Sequence, residues 1–311
     1  MKLKNFIAYF LLLCLSVTLL ASCSDDSDGK VDFFVLKGPT GIGAVNLFEG
    51  HDDYRLKVVD TPDLLTATVL RGEYDVAALP INLAATLYQK SEGELQIVAL
   101  NTLSVLYIVD AGDTVHSLED LEGKTIRATG QGSTPEYILS ALLDAADINC
   151  TVEYVADGAA LAATVVEGDG ICLLPQPNVT SAIVSSGARI AIDIAEEWAK
   201  YFDTEIIQGC IVVRRDFAEK EPELLAQFLA DYKASIESVN SVVDAAAALC
   251  EKHQIIPKAA IAKKAIPDCN IVYVDGDEMA ERTAGFLEFL YEKNPASVGG
   301  KLPDESFYFK K

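Results

Sequence analysis

The chain has little with which to build a metal centre, a redox pair or a nucleic-acid surface. Among 311 residues there are 3 histidines, 1 tryptophan and 2 methionines. His51, His116 and His253 stand apart, with no cysteine or carboxylate at ligand spacing, so no metal site is expected. None of the 7 cysteines lies in a CxxC pair. Beyond Cys14 and Cys23 near the N-terminus, the remaining Cys150, Cys172, Cys210, Cys250 and Cys269 are odd in number; buried free thiols and one or two disulfides both fit. Basic residues are scarce: 25 Lys and Arg face 47 Asp and Glu, for a formal net charge of −22, which argues against nucleic acid as a partner and gives a soluble, non-sticky surface. Neither GxxxxGK[ST] nor GxGxxG nor GxSxG occurs. No catalytic residue and no cofactor is therefore assigned.

What is present begins at the N-terminus. Lys2 and Lys4 precede an apolar run from Phe6 to Leu20, and Leu20-Ala21-Ser22-Cys23 closes it with small residues before a cysteine. A run of this length is shorter than the ~20 residues that span a bilayer, so it reads as the core of a secretion signal. The closing tetrapeptide resembles a lipobox, which makes residues 1–22 a lipoprotein signal peptide and Cys23 the lipidated residue. An ordinary cleaved signal and an uncleaved anchor are the alternatives. Two or three acyl chains would hold a soluble domain at a bacterial membrane on its extracytoplasmic side, where one chain is marginal. Ser24-Asp25-Asp26-Ser27-Asp28-Gly29-Lys30 is polar and aperiodic, so residues 23–30 form a flexible tether. Loss of Lys2 and Lys4 with the signal takes the net charge from −22 to −24 and leaves 289 residues, room for two domains. No later run is long and apolar enough to span a membrane, so a part in transport would need partner proteins.

From Val31 onward short apolar runs alternate with helix-length amphipathic segments, the pattern of parallel βαβ units, so the fold class is α/β. Helices are expected at Gly41–Glu49, at 61–71 behind a Thr61-Pro62 cap, from Pro80, from Pro135 and at Gly158–Glu167. Late helices follow at 222–240, 243–253, 258–266 and 277–293. A polar connection near residue 112 divides the chain: residues 31–110 and 212–311 form lobe 1, and 111–211 form lobe 2. Two crossings between lobes make a hinge.

In open α/β sheets, ligands sit beyond the carboxyl ends of the strands, facing the first turns of helices. Four junctions have that position. Lys37-Gly38-Pro39-Thr40-Gly41-Ile42-Gly43 lets the backbone approach a ligand, with Pro39, Thr40 and Gly41 as contacts; a plain strand-to-helix turn is the alternative. At Leu79-Pro80-Ile81-Asn82, Pro80 and Asn82 stand at the mouth, and Asn82 either orients a polar ligand or lies on a helix surface. Thr129-Gly130-Gln131-Gly132-Ser133-Thr134-Pro135 offers Gln131, Ser133 and Thr134, which either meet an anion or cap the helix. Leu174-Pro175-Gln176-Pro177-Asn178 adds Gln176 and Asn178, or merely a proline-shaped turn. Only Lys37 supplies positive charge beside these junctions, so a neutral heterocycle held by Tyr107, Tyr137 or Trp198 is as well accommodated as an anion; each aromatic equally suits a core.

Taken together, GPTGIG, GEYDVAALPINLAATLY, LEDLEGKTIRATGQGSTPEYIL and LLPQPNVTSA resemble the solute-binding lipoproteins of ABC transporters, in the branch of nitrate, aliphatic sulfonate, taurine and thiamine-pyrimidine binders. Their order and spacing carry the resemblance over almost the whole mature chain. It implies a periplasmic-binding-protein fold of type II, with two α/β lobes, a hinge of two crossover segments, and a cleft closing on one small molecule. It further implies a monomer that delivers its ligand to an ABC permease. Enzymes of thiamine and menaquinone pathways share this branch, so an enzyme of the same fold is the runner-up. A lipoprotein that senses a solute or docks a partner is the third alternative.

Overall fold

The alternation of apolar runs and helical segments folds as two separate sheets. The computed structural model describes residues 29–50, 52–165 and 170–310. The signal peptide, Cys23 and most of the tether lie outside the described residues, as do His51 and the end of the helix expected at Gly158–Glu167. Residues Val31–Lys311 form one unit, distinct from Met1–Lys30.

The first sheet comprises β1 (Val31–Leu36), β2 (Tyr54–Val59), β3 (Val76–Pro80), β4 (Leu95–Leu103), β10 (Ile207–Arg214) and β11 (Ile271–Val274). The second comprises β5 (Leu106–Asp110), β6 (Thr125–Ala128), β7 (Thr151–Tyr154), β8 (Ile171–Pro175) and β9 (Arg189–Asp193). Strand order is β11-β4-β10-β3-β1-β2 in the first and β7-β6-β8-β5-β9 in the second. β1 pairs in parallel with β2 and β3, and β10 runs antiparallel between β3 and β4. In the second sheet β6 is parallel to β7 and β8, while β5 is antiparallel to β8 and β9. The near-continuous apolar sequences VDFFVL and VAALP follow from parallel strands covered on both faces. Edge strand β2 instead carries Arg55 and Lys57, both paired with Asp32, which charges an edge that could otherwise recruit another strand.

The strand pairing corrects the lobe boundaries read from sequence. Leu106–Asp110, placed with lobe 1, pairs with Ile171–Pro175 and with 189–193 and so belongs to the second sheet. Ile207–Ile211, placed with lobe 2, pairs in the first. The apolar stretch from Leu95 to Val109 crosses between sheets at Ser104-Val105, with no polar linker to mark the turn. The polar segment at residue 112 lies one strand too late. The return crossing follows the helix 194–201, and the chain thus passes between the sheets at two short segments.

The helices, in chain order, are α1 (Pro39–Ile42), α2 (Pro62–Leu70), α3 (Ile81–Lys90), α4 (Thr134–Ala145), α5 (Gly158–Thr164), α6 (Asn178–Ser186), α7 (Ile194–Tyr201), α8 (Arg215–Lys220), α9 (Pro222–Ser241), α10 (Val243–Lys252), α11 (Ala259–Ala265) and α12 (Gly276–Lys293). Thr61 caps α2 by accepting from Leu64 N, with Pro62 at the first helical position. The helix expected at Gly41–Glu49 is instead the single turn α1 followed by a 3-10 turn at Val45–Phe48. One core face of the first sheet is packed by α9, α10 and α11. The opposite face shares its core with the second sheet, where Phe286 and Leu290 of α12 join Leu79 and Ile81 to Ile108 and Leu139. Each such side chain stabilises the packing by roughly 1.5–3 kcal/mol.

Trp198 belongs to this core rather than to a ligand platform. It is 1% exposed, stacks on Phe202 at 3.9 Å and donates from Nε1 to Thr204 O. All five described cysteines are free thiols. Burial pushes the Cys250 thiol up to about 12, so it stays protonated and inert at neutral pH.

Candidate functional site

The crevice between the sheets is built from helix starts on one side and the connection between α10 and α11 on the other. At the first junction, Pro39 begins α1, while Thr40 and Gly41 are buried. Asn101, at the end of β4 and 1% exposed, donates from Nδ2 to Thr40 O at 2.9 Å and to the Tyr232 hydroxyl at 3.0 Å. Gly38 N donates to Ile255 O at 3.0 Å. A Cβ at position 41 would stand 2.4 Å from Leu36 O and 3.2 Å from the Ile255 side chain, so only glycine fits beneath that isoleucine. The close approach that the glycine permits is therefore made by the chain itself. Gly41 lies behind Ile255.

At the second junction Pro80 closes β3 and Asn82 stands half-buried in the first turn of α3. Its carbonyl accepts from Thr86, and its side chain has no hydrogen-bond partner among the described residues. At the third, the helix opens at Thr134, one residue before the expected start. Ser133 occupies the cap position without capping; its hydroxyl donates to Gly130 O at 2.6 Å. The Glu136 carboxylate receives Gly132 N. Tyr137 donates to Gly132 O at 2.9 Å and accepts from Asn294 Nδ2 at 2.8 Å, so its hydroxyl ties this loop to the end of α12. Gln131 is exposed and Thr134 half-buried.

Gln176 and Tyr107 are joined by a third residue. Gln176 is 2% exposed; its Oε1 accepts from Thr180 N at 3.3 Å and Thr180 Oγ1 at 2.8 Å, and its Nε2 donates to Asp268 Oδ2 at 3.5 Å. Tyr107, 4% exposed, donates to Asp268 O at 2.9 Å. Two strands of the second sheet thus grip the segment leading into β11. Burial, with the nearby Asp193 charge, pushes the Asp268 carboxyl above its ordinary range. On the other side of the same connection, Asn270 donates to Ser104 O at 2.6 Å.

Asn178 has a different setting. It begins α6 and lines a cavity of about 490 Å³ between α5 and α6 on one side and Ile256-Pro257-Lys258 with Ile261 on the other. The wall is mostly carbon, from Ala162, Pro177, Val184, Ile256, Pro257 and Ile261. The Ser181 and Ser185 hydroxyls that reach it donate to the carbonyls of Pro177 and Ser181 in their own helix. Lys258 is exposed and has no ion-pair partner among the described residues. Ile255, which roofs Gly41, directly precedes this wall, so the cavity adjoins the first junction. Of the residues singled out from sequence, the geometry brings Asn178 to the cavity. It sets Gly41 beneath Ile255, ties the Thr40 carbonyl to Asn101 and commits Gln176 and Tyr107 to Asp268.

Sequence reasoning missed Asn101 and the segment Ile255–Lys258. The first had a signal: Asn101-Thr102 interrupts an otherwise apolar strand, and buried polar pairs need partners. The second had a weaker one, two adjacent isoleucines before Pro257 in a connection between helices.

Residues 44–268 match the family described as menaquinone biosynthesis. The chain belongs to that family. No curated protein matches it. Among solved structures it is similar to an ABC transporter protein of Parabacteroides distasonis, at 24% identity and a TM-score of 0.79, covering 91% of this chain and 100% of that one. It is similar also to the periplasmic aliphatic sulphonate binding protein SsuA of Escherichia coli, at 18% identity and 0.67, covering 87% and 95%. The alkanesulfonate-binding protein SsuA of Xanthomonas axonopodis bound to MOPS gives 13% and 0.61, covering 89% and 95%. The fold is therefore that of a type II periplasmic binding protein, and the family match adds the menaquinone branch to the sulfonate-like resemblance.

Proposed function

We propose that this protein is the extracytoplasmic solute-binding component of an ABC importer. It is held at the membrane through lipid on Cys23 and, as a monomer, presents one small organic molecule to a permease. The observation that carries this reading is the cavity of about 490 Å³ between two sheets that the chain joins at only two short crossings. That is a volume suited to a small organic ligand, at the place where lobe closure can report occupancy. The solved neighbours named as ABC transporter and sulphonate binding proteins agree with it. Among the described residues no helix is long and apolar enough to cross a membrane, so transport falls to a partner. Asn178 lines this cavity, and Asn82 and Thr134, half-buried at the starts of α3 and α4, are the further polar groups through which the lobes would meet a ligand.

A second reading, an enzyme acting on a menaquinone precursor, is favoured by the family match over residues 44–268. One experiment separates the two. Residues 30–311 are purified from the native host and examined by native mass spectrometry for a bound small molecule, then incubated with it and re-examined. Stoichiometric binding with an unchanged ligand mass supports the receptor. Conversion of the ligand overturns it in favour of the enzyme.

A further inference from the structure

We infer that residues 266–270, ahead of β11, are a proton-operated latch between the lobes: ionisation of the Asp268 carboxyl near Asp193 loosens it, so the crevice closes more readily in acid than at neutral pH. This adds a regulation to the proposed solute-binding reading, on which it rests, and it is tested without a solute.

The segment is held from both sides. From the second sheet, Tyr107 of β5 donates to Asp268 O at 2.9 Å, and Gln176, just past β8, donates to Asp268 Oδ2 at 3.5 Å; both side chains are buried, which shields these bonds from water. From the first crossing, Leu103 N donates to Asn270 O at 3.1 Å, and Asn270 Nδ2 donates to Ser104 O at 2.6 Å. Residues 266–270 thus add a third, non-covalent tie beside the two covalent crossings, one that can part when the lobes swing. The group in it that titrates is Asp268. Asp193, which ends β9, is the register partner of Tyr107 and caps α7 by accepting from Ala195 N and Glu196 N. Burial first, then the Asp193 charge, holds the Asp268 carboxyl above its ordinary 3.8. Neither aspartate makes an ion pair among the described residues. The other groups around Asp268 do not answer its charge. Burial and the two aspartates keep the Tyr107 hydroxyl protonated, and burial keeps the Cys269 thiol so. On the helices packed against residues 266–268, Lys263 is paired with Asp244 and Lys252 with Glu49, Glu251 accepts from Ala259 N, Lys233 lies over the Tyr273 ring, and Glu237 and Lys264 are exposed. Opening would rehydrate the Asp268 carboxyl and draw it away from Asp193, returning it toward 3.8. Because closure raises the carboxyl, its contribution to closure is full below the ordinary value and is lost as pH rises through the raised one; at neutral pH two like charges oppose closure.

The test is single-molecule energy transfer on residues 30–311 freed of any bound solute, with dyes at Leu64→Cys on α2 and Glu153→Cys on β7, both exposed positions, in a Cys150→Ser background. Closed and open molecules are counted at about pH 8 and about pH 4.5, the second within reach of a raised carboxyl. The closed-to-open ratio should rise roughly three- to tenfold in acid, the size of one like-charge contact at a partly exposed site. Asp268→Asn keeps an acceptor for Gln176; it should raise the ratio by the same factor at the higher pH and abolish the response to acid. Asp193→Asn keeps a capping side chain for α7 and should reduce the response while leaving the latch bonds in place. An unchanged melting temperature checks the fold of each variant, and either variant alone suffices for the comparison. Three results overturn the inference: a ratio equal at both pH values in the protein with both aspartates, a ratio that falls in acid, or an acid response kept in full by the variants. Each of them leaves the native mass spectrometry test of solute binding standing, since no solute takes part here.

Discussion

Asn101 gives the sharpest test of how the crevice is held. Its Nδ2 bridges Thr40 O at 2.9 Å and the Tyr232 hydroxyl at 3.0 Å, and its Oδ1 accepts from Thr102 Oγ1 at 3.1 Å, all in a site where Asn101 itself is 1% exposed. Asn101→Ala removes these contacts and leaves the Thr40 carbonyl buried without that donor. One lost neutral hydrogen bond costs about 0.5–1.5 kcal/mol and a buried unpaired group about 1–3 kcal/mol, so the sum is roughly 2–4 kcal/mol. For a chain of this size that lowers the melting temperature by roughly 5–12 °C. Asn101→Asp keeps the shape but sets an acceptor against the Thr40 carbonyl, and should cost at least as much. Tyr232→Phe removes one acceptor and leaves the Thr40 bond, so about 0.5–1.5 kcal/mol is expected. Because the two residues share a bond, the double variant Asn101→Ala/Tyr232→Phe should lose less than the sum of the singles. The assay is thermal and urea unfolding of residues 30–311 at neutral pH. A melting temperature unchanged in Asn101→Ala, recovery in Asn101→Asp, or strict additivity of the pair would refute the reasoning.

Three further outcomes follow from the same structure. Gly209→Ala places a Cβ 2.6 Å from Asn101 Oδ1 and 2.6 Å from Thr40 Cγ2, so it should destabilise by about 1–3 kcal/mol through overpacking, read as a lower urea midpoint. Tyr107→Phe combined with Gln176→Met frees Asp268 from the second sheet, and small-angle scattering of the unliganded protein should report a larger radius of gyration; an unchanged curve would show that these bonds do not restrain the lobes. Burial alone would raise the Asp110 carboxyl, but the amides of Thr114, Gly112 and Val115 and the Arg189 charge together hold it below its ordinary 3.8. A depressed folded value gives stability that is present above the ordinary carboxyl range and lost as pH falls through the folded value, so Asp110→Asn should destabilise near pH 7 and much less at about pH 3.

Much of the architecture was legible because it depends on local periodicity. Val31–Leu36, Val76–Leu79 and Ile171–Leu174 are apolar on successive residues, and helix starts such as Thr61-Pro62 carry their own caps. Sheet membership was less legible, since Leu106–Asp110 reads the same whether it pairs with Leu95–Leu103 or with strands sixty to eighty residues later. That choice is made by tertiary packing, not by propensity. The content of the candidate site was less legible still. Polar residues at helix starts, such as Ser133 and Gln176, look alike in sequence whether they await a ligand or bond to Gly130 and Thr180. Ile255–Lys258 carried only the single charge of Lys258, because the rest of its contribution is shape.

That last point bears on how one fold serves both a transport-like set of neighbours and a family named for menaquinone biosynthesis. The crevice of this chain keeps the geometry of the fold, but the donors at the ends of β1 and β6 are used within the chain by Ile255 O and Glu136. On the proposed reading, selectivity would fall to the connection between α10 and α11, far along the sequence from the first junction. An apolar wall with Lys258 at an exposed position can discriminate by size and charge, which is what capture and release require. A nucleophilic or basic lysine is instead activated by desolvation or a second cation, and a general base must stand within hydrogen-bond reach of the proton it removes. Among the described residues, the cavity lining offers Lys258 neither burial nor a histidine, cysteine or carboxylate. The described wall fits the proposed solute-binding reading, and the enzyme reading would draw its base or nucleophile from another part of the crevice.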